Sequence, residues 1–356
     1  MSVSKTVQNS DDGKSLSCKT TYTTTLKARN SNINDFIKMC KVYRTDKLLQ
    51  NNKDKLFHFV YQGEKSKDDV NTMVFTSTVL KNLSCDTRNS HETFDHIITP
   101  HSAQIMRDID RLHDLEYYKR TGMRRKKGYL FHDPPGTGKT ATVMAMANYD
   151  KRHILEIPVS RVKTNKEIED ILNLKSINEI SFEKDEIIIL FDELDRIGKN
   201  NDCEPAENTD TKDTGLLEII QKNYSNRKNS FDFVSALSRL DGIGNYNGII
   251  IVGTTNNKDH IDPAVYRDLR LSALLFDYCV HSEAVTMIEK FYDVRLNDAQ
   301  LRLITDLDVS HKLASATLKY LLEKYENNLD DLLEYLHSKY LTSQNTTGFL
   351  ILDTEI

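Results

Sequence analysis

Residues Asp133-Pro134-Pro135-Gly136-Thr137-Gly138-Lys139-Thr140 constrain this chain more than any other stretch. Gly136 and Gly138 let the backbone curl so that successive N–H groups point inward at phosphate oxygens. Lys139 then reaches the β- and γ-phosphates, and the Thr140 hydroxyl is placed to ligate Mg²⁺. The flanks suit this role. Gly128–His132 reads as a short buried strand, and Ala141–Tyr149 reads as the helix whose N-terminal dipole faces the phosphates. A strand, phosphate loop and helix in that order imply a doubly wound parallel α/β sheet of the P-loop NTPase type, with a nucleoside triphosphate beyond the strands' carboxyl ends. The usual pattern opens on glycine, whereas Asp133 stands here. A carboxylate aimed at phosphates would repel them, so either Asp133 faces away or nucleotide binding is weakened.

Further apolar runs extend the pattern. Ile187–Phe191 has strand length and no polar residue, as expected for a parallel strand covered on both faces, and it ends in Asp192-Glu193. Asp192 is the expected Mg²⁺ partner, through the ion's water shell, and Glu193 the general base that polarises the attacking water. Gly248–Val252 is a third buried run and leads into Gly253-Thr254-Thr255-Asn256, where Asn256 is placed to position the lytic water. Beyond it lies Ile261-Asp262-Pro263-Ala264-Val265-Tyr266-Arg267-Asp268-Leu269-Arg270. Arg267 and Arg270 are candidates to reach a neighbouring subunit's γ-phosphate and stabilise transition-state charge.

The order GTGKT, IIILFDELD, IIIVGTTN, IDPAVYRDLR resembles the AAA family of ATPases. The lead-in from Tyr117 to Leu130 is similar to that of the branch containing the mitochondrial inner-membrane chaperone of the Rieske iron–sulfur protein and its plant and large-virus relatives. The resemblance covers roughly 100–341. It implies an ATP hydrolase using ATP and Mg²⁺, assembled as a homo-oligomeric ring of about six or seven subunits that remodels or chaperones a protein substrate. It also implies that Asp133 to Thr140 bind the cofactor, that Thr140 and Asp192 hold the metal, that Glu193 and Asn256 act at the water, and that Arg267 and Arg270 act in trans. Two departures stand out: Asp268-Leu269 replaces the family's Pro-Gly, and Pro158–Lys163 lacks the aromatic-Gly pair of a substrate-gripping pore loop.

Three segments follow: an N-terminal α+β recognition module over 1–99, the AAA nucleotide-binding domain over 100–278, and a C-terminal helical lid over 279–356. In the first, Thr20–Lys27, Lys55–Tyr61 and Thr72–Leu80 read as strands and Asn32–Gln50 as a helix. In the last, Leu313, Ala316, Leu318, Leu321 and Leu322, then Leu329, Leu332, Leu333 and Leu336, recur at helical spacing. No arginine there suits a second sensor. Lys199–Thr214 has almost no apolar residue and reads as a solvated insertion.

At 356 residues and a net charge of −5, the chain exceeds one compact core and lacks a broadly basic surface, which disfavours nucleic acid as partner. Arg124–Lys127 is the one dense basic cluster and reads as a solvated strand entry. Five scattered cysteines without C-x-x-C spacing argue against structural zinc and a disulfide framework. No apolar run approaches the roughly 18 to 20 residues of a membrane span, and Met1–Lys14 resembles no targeting signal. The expected location is intracellular and soluble, in cytoplasm or, for a viral relative, in a viral factory or virion. Two other readings remain open: a nucleic-acid motor of clamp-loader or helicase type, and an ATP-gated assembly scaffold with little turnover.

Overall fold

The computed structural model describes residues 2–11, 16–25, 38–40, 43, 52, 55–67, 70–82, 92–196, 233–240, 247–267, 270–305 and 312–341. The chain divides into two compact units, Met1–Lys53 and Asp54–Ile356. In the first, β1 (Ser2–Asp11) pairs antiparallel with β2 (Leu16–Thr25) as a hairpin, Ser2 opposite Thr25 and Asp11 opposite Leu16. A strand near Thr20 was expected, whereas its partner Ser2–Asp11 carries too few apolar residues for the pattern to show. The helix expected at Asn32–Gln50 lies outside the described residues except at Lys38–Cys40 and Tyr43, which are helical.

The second unit is built on a mostly parallel sheet. Its described strands are β3 (Lys55–Lys67), β4 (Val70–Asn82), β5 (Lys127–His132), β6 (His153–Pro158), β9 (Ile187–Asp192), β10 (Ile250–Thr254) and β11 (Ser272–Leu275); a small hairpin, β7 (Ser176–Ile177) and β8 (Ile180–Ser181), stands apart. The order across the sheet is β11-β5-β10-β9-β6-β3-β4, parallel throughout except for the antiparallel β3–β4 pair. The continuous apolar runs land where both faces are covered: every residue of β10, and all of β5 and β9 but one end residue each, is buried. Alternation along the strands sorts them into two cores. Leu130, Ile187, Ile189, Phe191 and Ile251 face one layer, while Tyr129, Phe131, Ile188, Leu190, Ile250 and Val252 face the other. Each such side chain contributes on the order of 1.5–3 kcal/mol on burial.

The sheet corrects one boundary. The strands read at Lys55–Tyr61 and Thr72–Leu80 exist, but β3 pairs with β6 in the nucleotide-binding sheet, His58 opposite Ile154 through Val60 opposite Glu156. They therefore do not close a module over 1–99. Phe59 and Tyr61 are buried in the core, and the Tyr61 hydroxyl donates to the Glu167 carboxylate. Glu167 in turn accepts from the Lys163 and Thr164 N–H groups in the capping box of a helix at Asn165–Leu172, so β3 is tied to that helix's start. Local alternation revealed the strands, but only tertiary pairing assigned them.

Helices α1 (Ser102–His113), α2 (Leu115–Thr121), α3 (Lys139–Asp150), α4 (Asn165–Leu172) and α5 (Phe233–Leu240) flank the sheet. At the amino end of β5 the chain passes so close that a Cβ on Gly128 would lie 2.2 Å from the Arg270 carbonyl oxygen, which only glycine tolerates. Beyond β11, α6 (His281–Tyr292), α7 (Asp298–Arg302), α8 (Ser315–Lys324) and α9 (Leu329–Leu336) pack around Ala284, Ile288, Leu318, Leu321, Leu332 and Leu336. The apolar spacing expected over Leu313–Leu336 builds this third core with one exception. Ala316 is exposed and lies against the phosphate loop, its Cβ 3.5 Å from where a Cβ on Gly136 would stand. The insertion at Lys199–Thr214 lies outside the described residues.

Candidate active site

The phosphate loop joins β5 to α3, and its backbone adopts the left-handed region at three positions: Asp133 (φ 67°), Gly136 (φ 77°) and Gly138 (φ 91°). Glycine adopts such angles without strain, whereas an aspartate is compensated by local hydrogen bonds. Those bonds are present. Asp133 Oδ2 lies 2.8 Å from His132 Nδ1, and its Oδ1 accepts from the Lys258 N–H at 3.3 Å. Burial opposes its charge, but the bonds from His132 and Lys258 outweigh that and hold the Asp133 carboxyl below its ordinary range. The carboxylate is thus turned toward the strand-end histidine and the segment after β10, away from the loop's interior.

Thr137 braces the loop by donating to the Pro134 carbonyl at 2.9 Å. Lys139 is almost buried and donates to the carbonyls of Asp133 (2.5 Å) and Pro134 (2.8 Å). Desolvation lowers the ammonium's pKa, while the nearby Asp133, Asp195 and Asp192 carboxylates oppose the shift. A cation held on loop carbonyls is poised to exchange them for phosphate oxygens.

Pro135, Gly136, Gly138, Lys139, Thr140, Asp192, Glu193 and Asn256 line one cleft of about 360 Å³ at the carboxyl ends of the strands. The two-carboxylate turn is set by a residue that sequence reasoning missed. Thr254, the last residue of β10, donates to Asp192 Oδ1 at 2.5 Å and accepts from the Glu193 N–H at 3.1 Å. Glu193 sits at φ 55°, so this hydroxyl stabilises an unusual backbone angle while aiming the neighbouring carboxylate. Asp195 accepts from the Thr255 hydroxyl at 3.4 Å and the Asn256 N–H at 3.2 Å, which orients the turn carrying Asn256. A threonine ending the third strand was the available signal; its partner became visible only when β10 lay beside β9.

The lid contributes as well. Ser315, Ala316 and Lys319 line the cleft, and the Ala316 N–H donates to the Gly136 carbonyl at 2.9 Å. The expectation that the lid has no arginine sensor left Lys319 unread, since an isolated lysine on a helix carries no distinguishing pattern. For Mg²⁺, Thr140 and Asp192 supply hard oxygen donors to the same cleft, a set that fits an ion arriving on triphosphate oxygens and keeping several waters. Among the described residues no group of three or more His, Cys, Asp or Glu forms a metal site.

Arg267 and Arg270 are not brought to this cleft. They line another, with Lys126, Lys127 and Gly128 at the amino end of β5. Arg270 is half-buried and donates to the Ala264 carbonyl (2.9 Å) and Ser238 Oγ (2.7 Å), whereas Arg267 is exposed. The segment Pro158–Lys163 likewise serves within the sheet, with Arg161 donating to the Tyr61 carbonyl at 3.0 Å and to Gln62 Oε1 at 2.6 Å.

Residues 129–276 match the family model described as the ATPase family associated with various cellular activities (AAA). Over this stretch the chain is similar to AAA ATPases. Two Arabidopsis thaliana proteins are similar to it: AAA-ATPase At2g18193, 30% identical over 59% of this chain and 39% of that protein, and AAA-ATPase At2g18190, 28% identical over 66% and 47%. The Arabidopsis protein HYPER-SENSITIVITY-RELATED 4 is 25% identical over 68% of this chain and 40% of its own length. The chain thus spans less than half of these relatives. The match begins at the buried Tyr129 of β5 and ends at Phe276, just past β11, so it encloses the phosphate loop, the Asp192-Glu193 turn, Asn256 and both arginines.

Proposed function

We propose that this chain hydrolyses ATP with Mg²⁺ as part of a homo-oligomeric ring and uses turnover to remodel a protein substrate. The observation that carries this reading is the separation of the arginines from the cleft. β5 spans about 16 Å between the Gly128 end and the phosphate loop, so Arg267 serves a nucleotide held by another copy, and the site is completed only on assembly. Within one cleft, Lys139 and the loop N–H groups bind the phosphates, Thr140 and Asp192 hold Mg²⁺, and Asn256 orients water for Glu193. The ion neutralises charge that develops on the transferring phosphoryl group. Arg270, bonded within its own subunit, positions the segment that presents Arg267.

Turning Asp133 away from the phosphates supports turnover rather than an assembly scaffold. Substrate recognition is assigned to the unit Met1–Lys53, which stands as a compact unit of its own. No helix among the described residues is long and apolar enough to cross a membrane. The test is ATP turnover with Mg²⁺ across a protein concentration series, with mass followed by light scattering. Specific activity should rise as a ring-sized species appears, and Glu193→Gln should abolish turnover while ATP stays bound. ATP binding without turnover at every concentration would overturn the reading.

A further inference from the structure

Asp133 stands where the usual phosphate loop has glycine, and there the loop's cation meets the turn that carries Asn256. Its backbone lies in the left-handed region at φ 67°, an angle that glycine adopts more easily. What the aspartate adds is a carboxylate that spans two segments. Its Oδ2 lies 2.8 Å from Nδ1 of the buried His132, and its Oδ1 accepts from the Lys258 N–H at 3.3 Å, 125 positions along the chain. Its main-chain carbonyl accepts from Lys139 Nζ at 2.5 Å. The turn that receives the carboxylate is held from other sides too. The Thr255 N–H donates to the Phe131 carbonyl at 3.0 Å, and Asp195 accepts from the Asn256 N–H at 3.2 Å. Because β10 lies between β5 and β9, Asn256 is bracketed by two carboxylates, Asp195 following β9 and Asp133 following β5. The Lys258 ammonium lies 4.8 Å from the centre of the Tyr266 ring, which packs against the core, so the far side of the turn is fixed as well.

We propose that Asp133 is a positioning residue for the lytic step: its carboxylate fastens the Asn256 turn to the phosphate loop, so that water held by Asn256 stays aligned with the γ-phosphate. The inference rests on the ATPase reading above and deepens it at the same site. Asn256 is exposed in the cleft, so its side chain is aimed by how firmly its backbone is held. The Asp133 carboxylate is turned from the loop's interior and acts through the Lys258 main chain. A misplacement of about 1 Å at a reacting group can cost about a hundredfold in rate, so a tie of this kind acts on turnover while leaving the phosphate grip intact. The departure from glycine is on this account a gain of alignment and not a defect in binding.

The experiment compares full-length wild type with Asp133→Gly, Asp133→Asn, Lys258→Pro and Lys258→Ala. It measures kcat and KM with ATP and Mg²⁺, affinity for a fluorescent ATP analogue, and hydrogen exchange at the Asn256–Lys258 amides. Glycine keeps the backbone angle and removes the carboxylate, while asparagine tolerates the angle and keeps an acceptor oxygen. Lys258→Pro removes the donor instead, and Asn257 before it, at φ −149° and ψ 103°, lies in the extended region that a following proline requires. Asp133→Gly should lower kcat about tenfold with analogue affinity within about twofold of wild type. Its Lys258 amide should exchange at least about tenfold faster. Asp133→Asn should recover most of the loss. Lys258→Pro should lower kcat well beyond Lys258→Ala, and adding Asp133→Gly to it should cost no more, as expected when both changes remove one interaction. Tighter ATP binding with undiminished turnover in Asp133→Gly overturns the proposal and marks the carboxylate as repulsive. Equal losses in Asp133→Gly and Asp133→Asn also overturn it. Should Asp133→Gly not fold, the comparison of Lys258→Pro with Lys258→Ala is read in its place. Wild type without turnover overturns the ATPase reading by itself; the Lys258 exchange then decides the tie, a faster rate upholding it and an unchanged rate overturning it.

Discussion

At the scale of single residues, the site depends on hydroxyl and carboxylate groups that hold others in place. Thr254 bridges Asp192 and the Glu193 N–H. Thr254→Val keeps the shape but removes the hydroxyl from both, and hydrogen bonds to charged groups are worth about 1.5–3 kcal/mol. Turnover should fall about tenfold or more with ATP binding largely retained, as steady-state kinetics and an ATP-analogue titration would show. Asp133 yields a pH prediction. Its native carboxyl titrates below the ordinary value of about 3.9, so between those points the unfolded chain binds more protons. Its contribution to stability is therefore complete above about pH 4 and lost as pH falls through the native value. The difference in melting temperature between wild type and Asp133→Asn should close as pH falls below about pH 4. The sequence placed an unexpected carboxylate at the loop's entrance; its direction was decided by His132 and by Lys258, a residue remote in the chain.

At the scale of elements, legibility followed the period of the apolar residues. Runs such as Ile187–Phe191 show a buried parallel strand directly, because a strand covered on both faces has no polar face to keep. The lid leucines show helices for the corresponding reason at a period near 3.6. What periodicity does not encode is the neighbour. β3 and β4 were visible as strands, yet the place of β3 beside β6, with β4 outside it, came with Tyr61 reaching Glu167 and His58 meeting Glu156 at 2.7 Å. Ala316 fits the helical stripe but rests on Gly136, because the start of α8 is fastened to the loop. In the lid core, Leu321→Ala leaves a cavity costing about 2–5 kcal/mol. Urea denaturation should show a correspondingly lower midpoint, and ATP affinity should weaken because α8 supplies part of the cleft.

At the scale of the whole molecule, the β5 strand separates two clefts, one lined by the phosphate loop at its carboxyl end and one lined by several basic side chains at its amino end. Because the lid and the sheet both line the nucleotide cleft, ligand binding holds them together and stabilises the folded chain by mass action. ATP with Mg²⁺ at about 100 times its dissociation constant should add about 2.7 kcal/mol. Thermal melts of wild type with and without nucleotide should show the shift, and Lys139→Ala, which loses the phosphate-facing cation, should show little.

The amino-acid sequence by itself determined the phosphate loop, the buried strands that carry it, the Asp192-Glu193 pair, the candidate sensor Asn256 and the helical character of the lid. These are local: each rests on residues a few positions apart whose spacing or backbone freedom is dictated by one strand, one turn or one helix. The tertiary structure decided the partners of Asp133 and Thr254, the entry of Lys319 into the cleft, the attachment of β3 and β4 to the sheet, and the distance of Arg267 from its own phosphate loop. Each of these is a meeting of segments far apart in the chain, set by how packed layers and strand order bring them together, and no local pattern of side chains records it.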